Sequence, residues 1–179
     1  MMDMVDLSIV TDEERLVAEL ELLGVRYLSR QTLYQASAVR PPAELLAALV
    51  CQPSARVRAS VIAVLLAYPE FSEAVPLALR RLGSFEQLKV KLFYTAAVFL
   101  QQTHADRLRP FLAERWLALA DHFSGELGLL SGRTPREQLV ELGRAHARLT
   151  NTAVNWTGTY ANVAEKLLRR WEAERLWSQ

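Results

Sequence analysis

Apolar positions recur at spacings of three and four along most of the chain, and long alternating strand-like runs are missing, which predicts an all-α protein. Thr11-Asp12-Glu13-Glu14 has the form of a capping box: Thr11 can accept from the amide three residues on, and Glu14 can reach back. Leu16, Leu20 and Leu23 follow, and Gly24 stands where a left-handed cap belongs, so a first helix is predicted over about 12–23. Tyr27, Leu28, Leu33 and Tyr34 leave 25–40 as a short helix or an ordered connection. Pro41-Pro42 opens a helix over 43–51 with Leu45, Leu46 and Leu49 inward. Pro53-Ser54 breaks it. The segment 55–67 is apolar almost all round, as a central buried helix should be, and Pro69 stops it. Helices are predicted over 72–82 and about 85–102, the second carrying Leu88, Leu92, Ala96 and Phe99 on one face. The next begins near Thr103 to Asp106 and is predicted to continue through Trp116, Leu119 and Phe123.

Ser124 to Arg133 holds Gly125, Gly128 and Gly132 and is the clearest long loop. It divides a helical domain, 1–133, from a helical segment, 134–179. Thr134-Pro135-Arg136-Glu137 gives a second strong start signal, with no proline from there to Trp177. Leu139, Leu142, His146, Leu149, Ala153, Trp156, Tyr160, Val163 and Leu167 form a seam on one face. One long helix, or two collinear ones, is the expectation, roughly 60 Å long at 1.5 Å per residue. A domain of this size cannot cover that length, so part of the seam should project and meet a partner. Trp156, Tyr160, Val163, Leu167, Trp171 and Trp177 are the expected partner-binding residues. Thr150-Asn151-Thr152 and Gly158 are poor helix formers and mark where a fold-back would break the helix, which would make the seam core.

Pro53 to Ala67, PSARVRASVIAVLLA, recurs in altered form 33 residues later. Arg56-Val57-Arg58 becomes Lys89-Val90-Lys91, and Ala63 becomes Ala96. Both alanines are expected at buried helix crossings. A helix ending at a proline-bearing turn, then a second beginning Val57-Arg58-Ala59 and continuing through Leu65, resembles a HEAT-type helical repeat. Val90-Lys91 and Ala96 supply the second copy, with Leu92 in place of the small residue. The resemblance covers about 41–100. It implies stacked helix pairs and binding to another macromolecule. Such arrays usually need three or more units, so two copies imply a compact domain with a HEAT-like centre rather than an extended solenoid.

Composition adds bounds. With 51% hydrophobic and 23% charged residues over 179 positions, the chain is a folded domain, alone or with an appendage. The start lacks the basic n-region and apolar stretch of a secretory signal. The longest apolar run, Val61 to Tyr68, is far short of a membrane span. Cys51 is the single cysteine, so no internal disulfide forms, and it reads as a small buried helix residue. A cytoplasmic, non-membrane protein is expected. Net charge is +1, but residues 51–120 carry 9 basic and 5 acidic side chains, well short of a nucleic-acid stripe.

Candidate chemistry is sparse. His104, His122 and His146 show no zinc-ligand spacing, and nucleotide and metalloprotease fingerprints are absent; no metal or cofactor is expected. Asp121-His122 with Glu126 reads as a helix-end cap rather than a metal site. Arg115 and His122, six residues intervening on one predicted helix, resemble the motif of HEPN-type ribonucleases, although Trp116 stands where that family usually has a polar residue. The resemblance implies Arg115 stabilising phosphate charge and His122 assisting proton transfer. Arg56, Arg58, Lys89 and Lys91 could grip phosphates; basic residues at this turn of HEAT-like repeats also commonly bond the neighbouring loop. The leading expectation is a non-catalytic adaptor or regulatory subunit, binding a protein partner or a second copy through its C-terminal helix. An RNA-directed nuclease or its inactive relative comes second. A nucleic-acid-binding helical scaffold comes third.

Overall fold

A computed structural model describes residues 11–26, 28 and 34–178. Among these there are eight α-helices and no strand. The helices are α1 (Asp12–Leu22), α2 (Pro42–Val50), α3 (Ala55–Ala67), α4 (Val75–Arg80), α5 (Ser84–Thr103), α6 (Ala105–Leu112), α7 (Pro135–Thr150) and α8 (Trp156–Trp177), with 3-10 turns at Pro69–Ala74 and Ala113–Arg115. No single helix among the described residues is long and apolar enough to cross a membrane. Tyr27 and Leu33, which the sequence left between helix and ordered connection, lie outside the described residues.

The locally encoded boundaries form as expected. Thr11 accepts from the Glu14 amide at 3.2 Å while Glu14 accepts from the Thr11 amide at 2.8 Å. At the other end of α1, Gly24 adopts φ +75°. The Gly24 amide then bonds the Glu21 carbonyl at 2.9 Å, and Val25 bonds Leu20 at 2.8 Å. This double bond pattern needs a left-handed residue, which glycine supplies without a Cβ clash. Val25 is buried by the turn. Arg40 then ties the connection back to α1, donating from Nε and Nη2 to Glu19 at 2.7–3.0 Å.

Two helices start or stop elsewhere than the apolar pattern predicts. The helix expected over 72–82 is a 3-10 turn followed by α4. Pro76 has no N–H to give Ser72, so the chain takes the shorter Val75-to-Ser72 bond before the α-helix begins. The helix expected to reach Phe123 ends at Leu112, and Ala113 turns the chain at φ +49°. Beyond the 3-10 turn the chain has no regular structure through Phe123 and is held to α5 by side chains. The Gln101 amide donates to Leu117 O and accepts from Leu119 N, both at 2.8 Å, and Tyr94 donates to Ala120 O at 2.8 Å.

The core is built round α3 and α5, which pack against each other. Helix α2 packs on α3 and α4, while α7 and α8 cover α5 and α3 from the other side. Covered on both faces, α3 can be apolar all round. Ala63 and Ala96 are fully buried.

The single projecting helix over 135–177 is corrected. Asn151 takes a left-handed conformation, φ 50° and ψ 51°, and ends α7. Asn155 then caps a new helix by accepting from Gly158 N at 3.1 Å. Helix α8 folds back on α7, with close approach permitted by Gly143: a Cβ there would lie 2.9 Å from the Thr157 backbone nitrogen. Arg107 of α6 clips α8 through Glu165 at 2.6 Å and Glu172 at 2.9 Å.

Candidate functional site

The fold-back decides where the seam residues go. Trp156, Tyr160, Val163 and Leu167 are at most 3% exposed and belong to the chain's own core. Their side chains offer no surface to a partner, because two short helices pack their apolar faces together where one long helix would have exposed them. Trp171 is half-buried against Phe111, with ring centroids 5.4 Å apart. Trp177, at 89% exposed, and its neighbour Leu176, at 74%, face solvent. Beside them two hollows adjoin, sharing Gly24, Glu174 and Ser178. One, of about 480 Å³, is walled by Tyr68, Phe111 and Trp171 with Arg115 and Arg175.

Arg115 and His122 do not share a helix. The turn at Ala113 separates them, so their sequence spacing has no helical meaning. Arg115 lies 3.8 Å from Glu70 with its guanidinium 5.1 Å from the Tyr68 ring centre. His122 stacks on Tyr94 at 5.8 Å. Asp121 instead accepts from the Phe123 and Ser124 amides, and Glu126 pairs with Lys91. Among the described residues no group of three or more His, Cys, Asp or Glu is arranged to hold a metal. Cys51 is exposed, not buried as expected, because α2 ends one residue before it. Partial desolvation raises its thiol pKa.

The two basic doublets split. Arg56 is exposed. Lys91 turns to Glu126 and the Phe123 ring. Arg58, in the first turn of α3, and Lys89, in the second turn of α5, line one cleft of about 230 Å³ together with Phe85, His146, Thr150, Thr152 and Trp156. Arg58 Nη1 donates to Gln52 O at 2.7 Å and Pro53 O at 2.6 Å, in the turn that precedes α3. Burial lowers the Arg58 pKa from its ordinary value. Lys89 sits 4.2 Å from the Phe85 ring centre and makes a loose 3.8 Å pair with Glu86.

The floor of this cleft is a buried polar cluster that the sequence did not single out as a site. His146 is 1% exposed and stacks on the Trp156 ring at 3.7 Å, with an interplanar angle of 3°. Its Nδ1 lies 2.5 Å from the Tyr160 hydroxyl. Tyr160 is fully buried and has no other hydrogen-bond partner among the described residues, so its O–H donates to Nδ1 and the imidazole proton sits on Nε2. Burial first, then the Arg58 and Lys89 charges, push the His146 pKa down to about 3. Burial also holds the Tyr160 phenol well above its usual value. Trp156 Nε1 donates to Thr152 Oγ1 at 3.0 Å, and Thr150 Oγ1 donates to His146 O at 2.7 Å. The 3.0 Å contact between the threonines is therefore made by the Thr152 proton. Every hydroxyl proton is spent inside the protein, and the remaining polar hydrogens are those of Arg58, Lys89 and His146 Nε2. The only sequence signal for this cluster was that His146, Trp156 and Tyr160 fall on one apolar seam. Comparison with protein-family models, characterised proteins and solved structures finds no match to this chain, and the functional reading rests on its own geometry.

Proposed function

We propose that this chain is a non-catalytic helical interaction protein, an adaptor or regulatory subunit, that docks a protein partner with the C-terminal end of α8. The carrying observation is the exposure of Leu176 and Trp177 side by side at the end of an otherwise well-packed helix. Adjacent large apolar side chains left in water commonly mark a contact surface. The neighbouring hollow, walled by aromatic rings and guanidinium groups, has the composition that dominates binding hot spots. The packing of α2 with α4 and of α3 with α5 is compatible with HEAT-like stacking of two helix pairs, an architecture suited to presenting such a surface.

The test is the double substitution Leu176→Ser/Trp177→Ser in the full chain. Both side chains face solvent, so melting should shift by no more than about 0.5 kcal/mol equivalent. The partner that co-purifies with the parent should be lost. A concentration-dependent change in size that the variant abolishes would identify the partner as a second copy. Unchanged partner recovery with the double variant would remove the contact from this end of α8.

A further inference from the structure

We propose that the cleft over His146 binds a small organic oxyanion, a carboxylate or phosphate monoester with an apolar body. This goes beyond the docking surface on α8 and does not depend on it. Arg58 and Lys89 reach the cleft from different helices, and no carboxylate is among its lining residues. Two cations over a low-dielectric floor focus positive potential on the hollow. The Arg58 guanidinium is already fixed through Nη1 by two backbone carbonyls. Its Nε and Nη2 make no hydrogen bond among the described residues, leaving the fork that suits two oxygens of one anion. Holding that side chain in place before binding removes part of the ordering cost.

The rest of the lining fixes the sign and shape of the ligand. His146 Nε2 carries a proton and has no protein acceptor, while the threonine protons are already committed. The unspent polar hydrogens are therefore all donors seeking an acceptor. Phe85, half-exposed, and the Trp156 ring supply an apolar flank. A volume of about 230 Å³ corresponds to roughly seven or eight waters at about 30 Å³ each. That is room for a ligand of benzoate or phenyl phosphate size, with its ring against Phe85 and its oxygens at Arg58 and Lys89.

The experiment titrates the ¹⁵N-labelled full chain separately with benzoate, phenyl phosphate and a single-stranded oligonucleotide. It follows the four tryptophan indole N–H signals. The Trp156 signal is the one that persists in each of Trp116→Phe, Trp171→Phe and Trp177→Phe. The expected result is a saturable shift of that signal with a Kd of roughly 1 mM or tighter for at least one small acid. Whichever binds names the anion. Lys89→Gln should weaken binding about tenfold, the loss of roughly 1.4 kcal/mol of charge-assisted contact. Lys91→Gln, outside the cleft, should not. Arg58→Gln should also weaken binding; because Arg58 also secures the turn before α3, Lys89→Gln carries the decision if that variant misfolds. Three results would overturn the proposal: no saturable shift with either acid, equal binding by the parent and Lys89→Gln, or binding of the oligonucleotide alone.

Discussion

At the scale of single residues, His146 is a histidine only 1% exposed. Its imidazole packs against Phe93, Trp156 and Tyr160 at the floor of the cleft, and burial with two nearby cations holds its pKa at about 3. The charged groups facing it are Arg58 of α3 and Lys89 of α5, and Tyr160 of α8 stays neutral. In the unfolded chain the same group titrates near 6.5, so between those values the unfolded state holds the extra proton. Stability is therefore full above about pH 6.5 and falls as the pH drops towards the folded value, by about 1.4 kcal/mol per unit. Denaturant unfolding at pH 7.5 and pH 5 should differ by about 2 kcal/mol from this group, with a smaller loss of the same sign from His104, whose pKa burial also lowers. His146→Gln should flatten the slope. An equally steep slope in that variant would mean that burial of the imidazole is not its source. Sequence carried part of this scale. The two capping boxes were legible because both partners lie within three residues. Arg58 and Lys89 were legible as candidates, but their meeting depends on how α3 packs on α5, which no local pattern states.

At the scale of elements, the helix starts with a capping residue or proline beside them were legible, as at α1, α2 and α7. A start depends on a cap, a proline or an acidic third residue, all local. The stop of α6 depends on Gln101 and Tyr94, which capture the following backbone from α5. Their reach across 16 to 26 residues of sequence left Trp116, Leu119 and Phe123 looking helical. The break between α7 and α8 was legible as a weak stretch at Thr150-Asn151-Thr152, yet the apolar seam runs through it unbroken. What selects the fold-back is packing, and its contact point is Gly143 against Thr157. Gly143→Ala brings a gain of about 1 kcal/mol in helix propensity. Against that, the new methyl group meets a backbone atom in the first turn of α8, which cannot yield without moving the helix. Overpacking of this kind costs about 1–3 kcal/mol, so the variant should melt below the parent. Melting at or above the parent would show that α7 and α8 are not in close contact there.

At the scale of the whole molecule, α8 is the element that closes the core. It lies against α3, α5, α6 and α7, and without it one side of the largely apolar α3 would face water. The seam was legible as a seam; whether it was interface or core was not, because periodicity is the same in both. Five large side chains of α8, Trp156, Tyr160, Val163, Leu167 and Leu168, are at most 3% exposed. At about 1.5–3 kcal/mol for each fully buried apolar side chain, their loss is on the order of 10 kcal/mol. That is comparable to the whole stability of an ordinary domain, about 5–15 kcal/mol. Truncation after Thr150 should therefore abolish the cooperative thermal transition and collapse the dispersion of the amide spectrum, not merely detach a partner. Truncation after Ala173 is the matched comparison. It removes Leu176 and Trp177 but keeps the five core residues, Trp171 against Phe111 and both carboxylates that hold Arg107. That shorter chain should melt cooperatively close to the parent while losing the contact surface. A cooperative transition in the chain ending at Thr150 would mean that residues 11–150 fold alone and that α8 is an appendage. Unfolding of the chain ending at Ala173 would place the last turn of α8 in the fold and take it away from the partner.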